Sequence, residues 1–281
     1  MSKKIKKVDS KEVGLEIGLL IFKFFLKSEY LHYGLFNNNL ETDIANLAKA
    51  QQNYADNLFS QIPAGTKKIL DVGCGSGKTA QELIKRGYEV DCVSPGKILT
   101  AHARGLIGDK AQIFQTKFED LNTHKTYDLV LFSESFQYIN MDSSFQNALK
   151  FLNPGGHIMI CDFFRTEAEG NSPLGGGHSF KEFQEVIKKY PITEVASQDI
   201  TKETAPTIDL VNMLSMEVIF PAYNLVFLLA EDRFPLITKL VKWKYKKKLE
   251  KMQNKHFKGE RSGKNFMKYK TYRFYLFKKQ N

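Results

Sequence analysis

The sequence predicts an α/β chain organised on a mostly parallel sheet, and three stretches carry that prediction. In the first, Lys68–Val72 runs through apolar residues to Asp71. Glycines then alternate at Gly73, Gly75 and Gly77, and Ala80, Leu83 and Ile84 recur at helical spacing until Gly87. That is a strand, a tight loop and a helix. In the second, Tyr127–Ser133 is apolar on both faces, as a buried parallel strand should be. In the third, Leu152-Asn153-Pro154-Gly155-Gly156 ends a helical stretch ahead of the apolar strand His157–Phe164.

A chain of 281 residues suffices for one α/β domain with additions. Hydrophobic content of 42 % and eight prolines describe a packed globular protein without repeats or low-complexity tracts. Cys74, Cys92 and Cys161 fall in or beside predicted buried strands at unrelated spacings, which implies neither a disulfide framework nor a metal cluster. A reducing, cytoplasmic setting follows from that usage. The net charge of +10 is concentrated: from Lys239 onward sixteen Lys/Arg stand against two acidic residues, while the preceding 238 residues carry 25 basic and 29 acidic. A basic tail of this kind suits an anionic membrane surface or nucleic acid, or is a solvated face.

The remaining elements follow in order. Lys3, Lys4, Lys6 and Lys7 precede the apolar run Val13–Leu26, but Glu16 and Lys23 interrupt it, so the expectation is an amphipathic helix over about 11–28 rather than a signal or a span. Tyr30-Leu31-His32-Tyr33-Gly34-Leu35-Phe36 is an aromatic cluster. Thr42 is positioned to cap a helix reaching Ser60, and Pro63-Ala64-Gly65 closes the N-terminal region. Tyr88–Val93 is a second strand, 97–107 a helix, Ala111–Gln115 a short strand, and 143–152 a helix capped by Asp142. A loop bearing Gly170, Gly175, Gly176 and Gly177 precedes a helix starting at His178 and ending near Lys189; a strand is expected at Ile192–Thr201. Residues 208–230 are apolar and broken by Pro221, with Asn212 and Glu217 arguing against a spanning helix. Phe234–Lys255 interleaves Leu236, Ile237, Leu240, Val241, Trp243 and Tyr245 with lysines, and Tyr269–Lys279 reads as a final antiparallel strand.

The glycine spacing is neither the dinucleotide G-x-G-x-x-G nor a phosphate loop. Asp71-x-Gly73-x-Gly75-x-Gly77 instead resembles motif I of the class I S-adenosylmethionine-dependent methyltransferases. The Tyr127–Ser133 strand and Leu152–Gly156 match that family's later motifs in order. The resemblance implies a Rossmann-like, seven-stranded, mostly parallel sheet with an N-terminal helical cap (1–65), a cofactor-binding core (66–203), a helical insertion (204–268) and a last strand (269–281). His32-Tyr33-Gly34 is similar to a segment of the cyclopropane-fatty-acid synthase, tocopherol and sterol methyltransferase group, which assigns Tyr33 to the cofactor carboxylate and His32 to the pocket.

By the same resemblance the cofactor S-adenosyl-L-methionine is held by Tyr33, Asp71, Gly73, Gly75, Gly77, Ser94, Phe118, Glu119 and Ser133. Ser94 stands where the family commonly has an acidic residue for the ribose hydroxyls; Phe118 and Glu119 bracket the adenine. Ser133-Glu134-Ser135-Phe136-Gln137-Tyr138 is neither the Asn/Asp-Pro-Pro-Tyr of adenine and glutamine methylation nor a Pro-Cys nucleophile, and is similar to small-molecule enzymes. Candidates for a proton-handling residue are His178, Glu134, Tyr138 and His32; no metal is implied. The expected reaction is methyl transfer to oxygen, nitrogen or carbon of a lipophilic small molecule. An RNA methyltransferase using the basic tail and a non-catalytic cofactor-binding scaffold stay open beside it.

Overall fold

The computed structural model describes residues 10–256 and 259–280; Lys3, Lys4, Lys6 and Lys7 lie outside them. In chain order the elements are α1 (Ser10–Leu26), α2 (Leu47–Ser60), β1 (Lys68–Val72), α3 (Lys78–Lys85), β2 (Glu89–Val93), α4 (Lys97–Ile107), β3 (Ile113–Phe114) and β4 (Tyr127–Ser133). There follow α5 (Met141–Phe151), β5 (Leu152–Arg165), α6 (Phe180–Ile187), β6 (Ile192–Asp199), α7 (Thr201–Thr204), α8 (Pro206–Leu214), α9 (Phe220–Arg233), α10 (Pro235–His256), α11 (Gly263–Tyr269) and β7 (Lys270–Lys279).

The seven strands form one sheet in the order β3-β2-β1-β4-β5-β7-β6. Strands β1 to β5 are parallel, and β7 runs antiparallel between β5 and β6. The order reverses between β1 and β4, which opens a crevice at the carboxyl ends of those strands. The central strands β1 and β4 are largely apolar because both faces are covered, whereas the edge strand β6 carries polar residues and is half-exposed. Along β4, Leu129 and Leu131 enter one core layer, with Ile69, Tyr54 and Leu58. Val130 and Phe132 enter the other, with Phe136, Phe145 and Phe183. A two-residue period thus distributes one strand between two cores.

Local chemistry sets the helix ends, sometimes through a neighbour of the expected residue. The helix expected to start at Thr42 is entered instead through a short 3₁₀ turn capped by Asp43, whose Oδ1 accepts from Ala45 N at 2.7 Å. Asn140, not Asp142, caps α5 by accepting from Ser143 N at 3.0 Å. Pro221 does not break the chain either. A π-helical turn, Ser215–Ile219, widens the backbone just before it, making room for a ring that cannot donate, and helix continues from Thr201 to Arg233.

Between α1 and α2, residues Ser28–Phe36 run as an extended strap across the glycine loop. Gln51 holds this strap although it sits on the otherwise apolar face of α2, among Leu47, Ala50 and Tyr54. Its amide donates to the carbonyls of Tyr30 and His32 at 3.1 and 2.9 Å and accepts from Ser28 Oγ at 2.6 Å. Gly34 is required by close approach: a Cβ there would lie 2.6 Å from Ala50 Cβ.

Candidate active site

The loop after β1 and the loop after β4 face each other across the crevice, and their backbones are tied together. Ser135 Oγ donates to the Val72 carbonyl. Gly73 has φ +79°, and a Cβ there would collide with the Ser135 side chain. Gly75, with φ +52°, has room: a Cβ there would lie 3.6 Å from Leu31 Cδ1 of the strap and 4.0 Å from the Gly73 carbonyl oxygen. Gly77 serves another contact: a side chain would press to 2.8 Å on Ala103 Cβ of α4. Of the three glycines placed together at the cofactor, Gly77 is thus explained by helix packing.

Asp71, the last acidic residue of β1, is 2 % exposed, and its Oδ2 has no hydrogen-bond partner among the described residues. Burial pushes its carboxyl up to about 7. A buried carboxylate oxygen left unpaired is costly unless something else donates to it.

Ser94 is buried at the end of β2. A carboxylate from α1 lies near that strand end, at the first turn of α4. Glu12 of α1 accepts from Ile98 N at 2.6 Å, and a Cβ on Gly96 would meet its Oε1 at 2.9 Å. The expectation for Phe118 is corrected by the structure: its ring packs at 5.5 Å edge-on to Phe132 and at 6.2 Å from Phe151, inside the core. Glu119 beside it is exposed.

Glu134 is the hub of the site. It is one of four non-glycine residues with positive φ among the described residues, at +54°, a strained backbone of the kind found where function over-determines geometry. Its Oε1 accepts from Tyr33 N of the strap and from Tyr272 OH of β7, both at 2.6 Å. The hydroxyl chain continues from Tyr272 OH to Tyr54 OH at 3.2 Å and on to Ser133 Oγ at 3.1 Å. Burial raises the Glu134 carboxyl to about 8, the two donors opposing that shift. Tyr33 itself packs among Phe163, Phe266 and Tyr272.

The other proton-handling candidates fare differently. His178 Nε2 lies 3.1 Å from the Phe136 carbonyl and 2.8 Å from that of Ile139, so this nitrogen carries its hydrogen and braces the loop. In the neutral ring that tautomer leaves the lone pair on Nδ1, so the clasp occupies Nε2 alone. His32 stacks on Tyr54 at 4.2 Å with Nδ1 facing the Tyr33 carbonyl at 2.8 Å. Burial holds its pKa down to about 4, which makes it a neutral and weak base. Tyr138 is largely exposed and its hydroxyl is raised to about 12 by desolvation.

The glycine-rich loop before α6 is fastened rather than free. Lys270, 1 % exposed, donates to the Gly176 carbonyl at 2.6 Å, and Gln137 Oε1 accepts from Gly177 N at 3.3 Å. Gln137 in turn is held by Asp162 through its backbone N and its side chain, both at 3.0 Å. Among the described residues no cluster of His, Cys, Asp or Glu could hold a metal.

Residues 46–198 match the family model described as a methyltransferase domain, more than half of the chain. The chain belongs to the methyltransferase-domain family. This methyltransferase is 32 % identical over 105 residues to the ubiquinone biosynthesis O-methyltransferase of Rickettsia conorii, a match covering 36 % of each chain. It is 30 % identical over 125 residues to malonyl-[acyl-carrier protein] O-methyltransferase 1 of Ilyobacter polytropus, covering 42 % of this chain and 47 % of that one. The chain therefore spans less than half the length of these relatives. Among solved structures, a putative sarcosine dimethylglycine methyltransferase from Galdieria sulphuraria superposes over 97 % of this chain and 99 % of its own with TM-score 0.68 at 15 % identity. A cyclopropane synthase from Mycobacterium tuberculosis covers 92 % and 93 % with TM-score 0.65 at 17 % identity. The fold of this methyltransferase is accordingly the one shared by these two structures, a mostly parallel seven-stranded sheet with an antiparallel strand near one edge.

The residues present fit S-adenosylmethionine as a cofactor. A glycine loop, an orphaned buried carboxyl on Asp71, and the Ser94 hydroxyl and Glu12 carboxylate flanking Gly96 lie at the carboxyl ends of β1 and β2. Sequence reasoning missed Tyr54, Tyr272, Gln51 and Glu12. Gln51 alone left a signal, as a polar residue on an apolar helix face.

Proposed function

We propose that this methyltransferase moves a methyl group from S-adenosylmethionine to an oxygen, nitrogen or carbon of a lipophilic small molecule, with Glu134 taking the proton the acceptor gives up. The observation that carries the reading is the meeting of the glycine loop, the orphaned Asp71 carboxyl and the Glu134 hub in one crevice. Both relatives are O-methyltransferases by name, which favours oxygen. The cofactor, when bound, supplies a methyl already activated by positive sulfur.

What the chain adds is alignment, dryness and a proton acceptor. Gly73 and Gly75 would offer backbone to the cofactor, Asp71 would accept hydrogen bonds from it, and Tyr33 and Leu31 would cover the loop against water. Glu134, raised to about 8, is a proton acceptor in its ionised form, which predominates above that pH, and is oriented by Tyr33 N and Tyr272 OH. The hydroxyls of Tyr272, Tyr54 and Ser133 give that proton a path. Calorimetry with S-adenosylhomocysteine tests the cofactor: no binding at millimolar ligand ends the reading. Product mass analysis with quinols, phenols and acyl thioesters as acceptors then tests the substrate class, a mass gain of one methyl being the expected result.

A further inference from the structure

Helices α9 and α10 leave the body of the protein as a pair. Thr238 Oγ1 donates to the Ala230 carbonyl at 2.9 Å, Lys242 pairs with Glu231, and the Lys242 ammonium lies 5.7 Å from the Phe227 ring. Residue numbers rise on one helix as they fall on the other, so the pair is an antiparallel hairpin turning at Phe234. Its root is fixed: α8 is packed into the core through Thr207, Ile208 and Leu210, Thr207 accepts from Gly34 N at 2.9 Å, and Asp209 accepts from Gly263 N at 2.8 Å. Beyond that root, from Val211 to Glu250, Thr238 is the one buried residue.

The uncovered surface is strongly apolar. Of the 23 exposed large hydrophobic side chains among the described residues, 13 lie between Val218 and Tyr245, with Leu236 81 % and Trp243 77 % exposed. Such a concentration on a water-soluble face demands a partner. Around and beyond the apolar band stand Lys239, Lys242, Lys244, Lys246, Lys247 and Lys248, with Glu250 the acidic residue of that helix.

We propose that the α9–α10 hairpin docks at the interface of an anionic lipid bilayer. Aliphatic side chains and Trp243 enter the headgroup boundary while the lysines meet lipid phosphates. Charge decides against a second copy of this chain, because self-association through this face would oppose one lysine cluster with another. The chemistry of the band favours lipid over RNA: stacking needs aromatic faces, and ten of its 13 exposed apolar side chains are aliphatic, against Phe234, Trp243 and Tyr245. The hairpin lies on the surface rather than crossing it. The run Thr201–Arg233 is long and apolar enough to span, but its first turns are packed in the core and its partner helix carries lysines along its length. This inference stands apart from methyl transfer, since the hairpin shares no residue with the crevice.

The test is co-sedimentation of the full chain with phosphatidylcholine vesicles made with and without phosphatidylglycerol. Binding about tenfold stronger to the anionic vesicles is expected, falling with salt. The triple variant Leu236→Ser, Ile237→Ser, Trp243→Ser should lose binding to both vesicle types. The quadruple variant Lys244→Glu, Lys246→Glu, Lys247→Glu, Lys248→Glu should lose the anionic preference. Circular dichroism and affinity for S-adenosylhomocysteine should match the unaltered chain in both, which separates failure of docking from failure of the cofactor reading. Equal sedimentation of all three proteins overturns the proposal. So does a dimer in ultracentrifugation that the triple variant abolishes without vesicle binding, tight salt-sensitive RNA binding without vesicle binding, or release from vesicles by detergent alone.

Discussion

Replacing Glu134 with glutamine removes the charge at the centre of the crevice while keeping its shape. The carboxyl moves from an ordinary 4.5 in the unfolded chain to about 8 in the folded one. The folded protein therefore binds more protons than the unfolded chain between those two values. Its contribution to stability is full below about pH 4.5 and is lost as pH rises through about 8. At roughly 1.4 kcal/mol per pKa unit, the whole interval is worth about 5 kcal/mol, of which about 3 falls between pH 6 and 9. That is an upper bound, because a partly accessible carboxylate gains water as it ionises. Asp71 and Asp162, each raised to about 7, titrate in the same range, so the difference between the unaltered chain and Glu134→Gln isolates one group. Thermal melts from about pH 5 to 9 should show the variant gaining on the unaltered chain as pH rises, by up to roughly 6–12 °C. A difference that stays flat across that range would refute a buried, proton-holding Glu134.

The same group should govern turnover. With the acceptor in excess, kcat/KM should rise with pH to a plateau with a midpoint near 8, and Glu134→Gln should flatten the profile and lower the plateau about 10²-fold or more. Gly73→Ala and Gly75→Ala should separate. The first combines positive φ with the Ser135 collision and should cost about 2–4 kcal/mol in a denaturant melt. The second has space for its methyl and should cost about 1 kcal/mol while weakening S-adenosylhomocysteine in calorimetry. Glu12→Gln should weaken the same ligand about tenfold, and the loss should vanish with an analogue lacking the ribose hydroxyls, if the carboxylate beside Ser94 meets the sugar. Lys270→Met leaves the Gly176 carbonyl without its buried donor and should lower stability by about 1–3 kcal/mol, read by melting, with faster proteolysis in the 170–177 loop.

Much of the fold could be read from the chain because its signals are local. The strand–glycine–helix unit, the doubly apolar β4 and the Pro-Gly-Gly turn each state their structure within about ten residues. Boundaries slipped where two capping residues were adjacent, as at Thr42 and Asp43. Pro221 misled because the π turn that accommodates it has no sequence mark. The outline of the crevice was legible where consecutive residues form it, in the loops after β1 and β4. It was opaque where partners come from afar: Tyr272 reaches Glu134 across 138 positions, and Glu12 reaches Ile98 across 86. Phe118 shows the converse, a residue in the expected place whose ring turns inward because the core offers it Phe132 and Phe151.

The strap from Ser28 to Phe36 imposes an order of events. Its carbonyls at Tyr30 and His32 are held by Gln51, its Glu29 carbonyl by Ser76 of the glycine loop, and its Tyr33 amide by Glu134. On the proposed function, a cofactor seated beneath it would exchange with solvent only as those fastenings part, so spent donor would leave at the pace of the strap. One of them ends on the proposed proton acceptor itself. Ionisation of Glu134 tightens the latch and its protonation loosens it, which ties the moment of escape to the proton released by the reaction.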